Sequence, residues 1–384
     1  MLTCQTAGES HGKGLCALIN GFPAGVPIDC DAINAELRRR QGGYGRGGRQ
    51  SIETDTVDVQ TGILHGASTG APIALWVKNK DYKIESMPEL VEPRPGHGDL
   101  TGSIKYLSGI RPILERSSAR ETAARVAAGA FGALLLKEFG IVSLGYVDSI
   151  GPLSLSLENR ETLTPKEIRS RRDASALYSL VPDQDDQAKA LIDQCRLEGD
   201  TLGGIIEVRV FNVPFGLGSH VQWYRKLDAR LALAAMSVQA IKGVELGLGF
   251  EAARRMGSQV HDPIGYDATR ADDNGFGIVR SSNNAGGTEA GISNSQPLVV
   301  RAAMKPIATL RKPLGSINLE TKEATAASYE RSDVCAISAA SVVLENVIAF
   351  EVAAAMIDKF GGDSLKEMLA RVQLNRRLVK EHLA

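Results

Sequence analysis

The chain has 384 residues, with 44 basic against 45 acidic side chains, 43% hydrophobic residues and only 5% aromatics. It is long enough to bury a sizeable core, and its near-zero net charge excludes a global field that draws the whole molecule to nucleic acid or to a membrane surface. Five scattered cysteines, Cys4, Cys16, Cys30, Cys195 and Cys335, never form a CxxC pair, which speaks against a disulfide framework or a structural zinc site.

The start lacks a basic region followed by an apolar one, and the apolar run Val126 to Leu136 is too short to span a bilayer. These features predict a cytoplasmic protein. Before it, Gly14 to Asn20 reads as a short strand stopped by Gly21-Phe-Pro-Ala-Gly25, and Asp31 can cap a helix through Arg40. The stretch Arg38 to Arg49, RRRQGGYGRGGR, carries five arginines and no carboxylate. Alone it is either a solvated loop or a clamp for a small anion. Ser51 to Gln60 and Ile73 to Val77 read as antiparallel strands.

Pro93-Arg-Pro-Gly-His-Gly-Asp99 sets Arg94 and His97 in one rigid turn. Ser118 and Glu121 have capping-box spacing and open a helix to about Phe139, smooth with alanine and glycine and stopped by Gly140. Thr164-Pro-Lys-Glu167 repeats the capping signal, Asp186 to Leu197 is helical in period, and Ile205 to Val213 alternates as a strand. Helices are expected from Leu227 to Ile241 and from about Val334 to Phe360, the latter ended by Gly361-Gly362. Gly12, Pro23 and Gly25 match Gly203, Pro214 and Gly216 at one constant offset, consistent with either an internal duplication or generic strand-ending turns. Strands grouped around long small-residue helices favour an α+β fold in a single domain over 1–384.

Gly8-Glu-Ser-His-Gly12 has the G-x-S-x-G form of a hydrolase nucleophile elbow, but a strand, not a helix, is expected after it. An RNA-binding Arg-Gly segment is normally longer, repeated and accompanied by net basic charge. The acidic loop around His261-Asp-Pro, with Asp267, Asp272 and Asp273, fits no standard metal spacing.

Taken together, GESHG at 8–12, RRRQGGYGRGGR at 38–49, PRPGHGD at 93–99, ERSSARET at 115–122, RKLDARLA at 225–232, AIKGVE at 240–245, SNNAGG at 282–287, AAMKPIATL at 302–310 and RSDVCA at 331–336 resemble the chorismate synthase family, in order and over nearly the whole chain. The resemblance implies a β-α-β sandwich with antiparallel sheets enclosing long helices, assembled as a homotetramer. It implies an anti-1,4-elimination of phosphate and the C6 hydrogen from 5-enolpyruvylshikimate 3-phosphate, giving chorismate and requiring reduced FMN without net redox change. That substrate carries about four negative charges, which gives the arginines an assignment.

By the same resemblance, Ser10, Arg40, Arg46, Arg49, Arg94, Arg120 and Arg331 hold the substrate, with NADPH as the alternative ligand of Arg40 and Arg46. Arg116, Ser117, Ser118, Gln239, Ala240, Ala290, Lys305, Pro306, Ile307, Ala308, Thr309 and Arg331 line FMN. His11 protonates the departing phosphate, His97 manages a flavin proton, and Asp333 assists removal of the C6 hydrogen. Ala290 and Ser295 stand where the family usually has glycine, and Ala290 can meet flavin through its backbone only if its φ is negative. No added reductase segment is present, so an outside flavin reductase is the expected source of reduced FMN.

Overall fold

The computed structural model describes residues 1–47, 53–330 and 332–384. Alternation of buried and exposed positions makes β1 (Thr3–Gly8) and β2 (Gly14–Asn20) an antiparallel pair, completed by β3 (Val57–Val59) and β6 (Ile73–Lys78) in the order β1-β2-β6-β3. Between β3 and β6, β4 (Ile63–Leu64) and β5 (Ala67–Ser68) form a two-residue hairpin. A second antiparallel sheet joins β7 (Val142–Ile150), β8 (Leu153–Ser154), β9 (Gly204–Phe211), β10 (Ile241–Leu246) and β15 (Leu298–Met304) in the order β10-β15-β9-β7-β8. Two further small hairpins, β11 (Ile264–Tyr266) with β12 (Ile278–Arg280) and β13 (Thr288–Glu289) with β14 (Ile292–Ser293), lie between β10 and β15 in the chain.

The helices are α1 (Cys30–Gln41), α2 (Asp99–Tyr106), α3 (Ile110–Ser117), α4 (Thr122–Lys137), α5 (Pro165–Ala174), α6 (Asp185–Leu197), α7 (Leu227–Met236), α8 (Ile337–Phe360) and α9 (Leu365–Leu383). Helices α4 and α8 pack on each other between the two sheets, α4 against the first and α8 against the second, with α1 touching both and α7 beside α8. The result is the α+β sandwich of sheet, helices, sheet. Its main core is one continuous apolar cluster through both halves, with a smaller separate one around Leu144, Tyr146, Ile168, Leu180 and Phe211. The approach of α4 to α8 depends on Gly129, where an added Cβ would stand 2.4 Å from the Asn346 carbonyl oxygen. Helix α8 is apolar and long enough to cross a bilayer, but it lies buried at the centre of this fold.

Several element boundaries differ from the expectations above for identifiable reasons. Asp29, not Asp31, caps α1, because its Oδ1 accepts from the Asp31 and Ala32 amides. Ser118 does accept from the Arg120 amide, yet a 3₁₀ turn over Ala119–Glu121 precedes α4. Glu121 cannot close the capping box because its carboxylate accepts from Thr6 and Gln239 instead. The expected strand at 51–60 is confined to β3; residues 51 and 52 lie outside the described residues, while Glu53 and Asp55 turn inward to charged partners.

The expected helix 227–241 ends at Met236, and Ile241 begins a strand paired with Met304. Helix α8 starts three residues later than Val334, and the Val334 and Cys335 amides before it donate to the Gly45 carbonyl. Helix α9 lies beyond the last helix expected above, and Ser364 and Glu367 form a capping box at its start.

Candidate active site

Connections from both halves of the chain meet in a cleft of about 640 Å³. The turn between β1 and β2 brings Ser10 and His11, and the end of α1 with the loop after it brings Arg40 and Arg46. The passage from β6 to α4 contributes Arg94, His97, Ser117, Ser118 and Arg120, while the passage from β15 to α8 contributes Lys305, Ile307 to Thr309 and Asp333. Gln239 and Ala240, between α7 and β10, complete the wall.

Asn79 supports the β1–β2 turn: its side-chain amide donates to the carbonyls of Glu9, Ser10 and Gly12, and its Oδ1 accepts from Arg120 Nε at 2.8 Å. The turn then places His11 against Glu115, whose Oε1 lies 2.9 Å from Nδ1 and whose Oε2 accepts from the His11 backbone amide at 2.7 Å. Ser10 is buried, and its hydroxyl donates to Ser118 Oγ at 3.1 Å. Since β2 follows it directly, the strand–turn–helix context of a nucleophile elbow is absent here.

Arg39, Arg40 and Arg46 of the Arg-Gly stretch turn inward, while Arg38 is exposed. Asp55 accepts from Arg40 Nη2 at 2.6 Å and from both terminal nitrogens of Arg120 at 2.8 Å. Arg46 pairs with Asp333 at 3.0 Å, the Gly47 amide donates to the same carboxylate, and Arg39 bonds Glu36 and Glu345. Gly43 lets this loop close down, with φ of 92° and no room for a Cβ, which would stand 2.4 Å from Ser338 Cβ. Three of the five arginines are thus paired within the fold, two of them in the wall of a cleft and not on an open surface that a nucleic-acid strand could follow. Arg49 and Arg331 lie outside the described residues.

Burial pushes the Arg40 guanidinium down to about 10, against the pull of Asp55 and with Arg120 nearby, so it remains a cation at neutral pH. Burial alone would raise the Asp55 carboxyl, but the hydrogen bond from Arg120 and the charge of Arg40 outweigh it and hold Asp55 below the usual carboxylate range.

On the far wall, Arg94 donates to Asp99 through Nε and to Thr309 Oγ1 through Nη1, each at 2.8 Å, while Lys305 Nζ donates to the Gly96 carbonyl at 2.9 Å. These bonds tie the two connections together. His97 Nδ1 lies 2.5 Å from Asp99 Oδ1. Burial would raise Asp99, yet its hydrogen bonds from His97 and Arg94 hold it well below the usual range. Ala240 has a φ of 67°, unusual for a residue with a Cβ, and its carbonyl accepts from the Lys305 amide.

Three expected flavin residues are not in the cleft wall. Arg116 turns to the carbonyls of Thr6 and Gly8 on β1, and Pro306 is exposed beside the cleft. Ala290 sits in the exposed β13–β14 turn with a φ of 50°, so the negative φ required of it is not met. Sequence reading also passed over Asn79, Asp55, Asp99 and Glu115. Asp99 and Glu115 lie inside motifs already quoted, but nothing in spacing alone shows which side chains a carboxylate will face.

The donor set suits a phosphorylated flavin: serine hydroxyls and a lysine for a phosphate, apolar Val238, Met304 and Val343 for a ring, and a buried Gln239 Oε1 without a hydrogen-bond partner among the described residues, open to a ring N–H.

The sequence profile of a family described as "Chorismate synthase" matches residues 2–357. A protein of Desulforamulus reducens named chorismate synthase is 51% identical, covering 99% of this chain and all of the relative, and one of Geobacter sulfurreducens with the same name is 50% identical over 96% of each. A solved structure titled "Crystal Structure of Chorismate Synthase" superposes with a TM-score of 0.81 at 42% identity, covering 99% of this chain and 98% of that one.

Proposed function

The chain belongs to the chorismate synthase family of lyases, and we propose that its cleft gathers 5-enolpyruvylshikimate 3-phosphate beside reduced FMN and removes phosphate and the C6 hydrogen to give chorismate. The observation that supports this most is the convergence of Arg40, Arg46, Arg94 and Arg120 with His11, His97 and Asp333 in one cleft. A small polyanion needs several fixed guanidiniums, and proton transfer at a phosphate and at carbon needs acids and bases on the same walls.

In this reading the four arginines, with Arg49 and Arg331, hold the substrate's phosphate and carboxylates, and Ser10 assists them. His11 gives a proton to the departing phosphate as its bond to C3 breaks. Asp333, oriented by Arg46 and the Gly47 amide, assists the loss of hydrogen from C6, and His97 keeps the proton balance of the bound cofactor. Ser117, Ser118, Gln239, Ala240, Lys305 and the backbone of 306–309 hold FMN. Reduced FMN held by these residues would supply transient electron density to the elimination without net oxidation.

The working protein is a cytoplasmic homotetramer that receives reduced flavin from an external reductase, with NADPH acting as an indirect reductant and Arg40 and Arg46 serving the substrate. The test is anaerobic: dithionite-reduced FMN, the phosphorylated substrate and the protein are mixed, and chorismate absorbance is followed. Product should form only with all three. Absence of product with flavin and substrate demonstrably bound would refute the assignment.

A further inference from the structure

The two histidines of the cleft are held through the same ring atom by buried carboxylates. Glu115, 2% exposed in α3, receives both His11 Nδ1 and the His11 backbone amide, one on each oxygen. Asp99, 0% exposed at the start of α2, receives His97 Nδ1 on Oδ1 and the Arg94 backbone amide and Nε on Oδ2. An ionised carboxylate can only accept, so each Nδ1 must carry the proton of its bond. Arg94 Nη2 lies 3.1 Å from His97 Nδ1 and also 3.1 Å from Asp99 Oδ1. Two donors cannot bond each other, so this arginine proton goes to Asp99.

We propose that Glu115 and Asp99 are positioning residues that lock both imidazoles in the Nδ1–H tautomer and leave Nε2 as the ring nitrogen that exchanges protons with the cleft. The proposal deepens the elimination reading and rests on it only for what those protons do. Burial would raise Glu115, but its hydrogen bonds from the His11 ring and backbone, with the charge of Arg111, outweigh that and keep it an acceptor.

Other charges face the same rings. Around His11 stand Asp81, whose Oδ2 is 4.0 Å from Nε2, Lys83, which pairs with Asp81 and whose amide donates to the His11 carbonyl, and Arg111, 3.9 Å from Glu115. Around His97 stand Arg94 and Lys305, the latter bonded to the Gly96 carbonyl. Glu115 spends both oxygens on His11 donors. An amide in its place must turn its own NH₂ toward one of them, so Glu115→Gln keeps the shape while breaking the lock.

The experiment uses the full chain with ¹⁵N-labelled histidine, the His11 and His97 signals being assigned by their loss in His11→Asn and His97→Asn. At a pH where the rings are neutral, both should show the Nδ1–H tautomer. Glu115→Gln should shift only His11 toward a mixture, and Asp99→Asn only His97. In Glu115→Gln, kcat should fall about tenfold or more, and the alkaline limb of the kcat/KM profile should move to lower pH by about one unit, because the cationic ring has lost its anionic neighbour.

An Nε2–H tautomer in the unmodified protein would overturn the proposal, as would unchanged tautomers and an unchanged pH profile in the variants. If a variant does not fold, the spectrum of the unmodified protein decides alone. A protein that shows the tautomers but forms no chorismate would sink the elimination reading and leave this one standing.

Discussion

In the first half of the chain the β4–β5 hairpin is pinned by Ser68, whose hydroxyl donates to the Pro23 carbonyl at 2.5 Å and accepts from the Val26 amide at 2.9 Å. In the second half the β13–β14 hairpin is pinned by Ser293, donating to Pro214 at 2.6 Å and accepting from Leu217 at 2.8 Å. The backbone repeats the match: Gly25 and Gly216 donate to the carbonyls of Ser68 and Ser293, and Ile28 and Leu227 to those of Gly66 and Gly291. Both hairpins turn through two residues of positive φ, His65-Gly66 and Ala290-Gly291. The sheets follow suit, since β1-β2-β6-β3 and β7-β9-β15-β10 have the same neighbours and the same order in the chain.

The halves diverge in their connections. Between β1 and β2 the chain makes a tight turn bearing Ser10 and His11, whereas between β7 and β9 it inserts β8, α5 and α6. The passages into α4 and α8 are both long, and both line the cleft. A shared path therefore carries the stability, and the links between its parts carry the chemistry. We propose an internal duplication as the origin of that path.

This division can be broken experimentally. His11→Ala and Asp333→Asn, each on a connection, should lower turnover by about 10²- to 10⁴-fold while FMN affinity changes little and the melting temperature falls less than in Asp55→Asn; an equal loss of stability in either would erase the distinction. Asp55→Asn should be the case that crosses it. It leaves Arg40 and Arg120 buried with their shared anion gone, at a cost of about 3 kcal/mol in urea unfolding, and substrate KM should rise as well.

Ser68→Ala and Ser293→Ala sharpen the comparison, because each removes one buried hydroxyl with the same two bonds. Each should cost about 1–2 kcal/mol with kcat unchanged, and a loss in one variant without the other would show that the match is only in shape. The smallest effect concerns acid. Asp55, Asp99 and Glu115 are all held below the usual carboxylate range, so the unfolded chain binds protons more readily than the folded one. Their contribution is present above the unfolded carboxylate values, about pH 4, and is lost as pH falls through the folded ones. The urea midpoint should drop between pH 6 and about pH 3, and less steeply in Asp99→Asn.

Much of the shared path was legible in the sequence because it obeys local rules. A short apolar segment stopped by a Gly-Pro turn marked β2, alternation marked β9, the Thr164–Glu167 box marked α5, and small residues marked the helix that must pack closely. The connections were legible only as motifs. Resemblance named His11 and His97 but could not say what held them, since Glu115 is far from His11 in the chain and its choice of partner is decided by the fold of the β1–β2 turn. The same limit explains the misread start of α4. Glu121 has a good local role open to it, and tertiary partners claim it first. Ala290 shows the reverse case, where a motif position lies in the hairpin that pins the second half and outside the wall of this cleft.

The packing of α4 on α8 sets a timetable for synthesis. Lys137 ends α4 and Ile337 begins α8, so at about 5–20 residues per second the ribosome takes about 10–40 s to make the partner that α4 needs. Throughout that interval the small-residue face around Gly129 is complete, yet the stretch around Asn346 that it lies against has not been made.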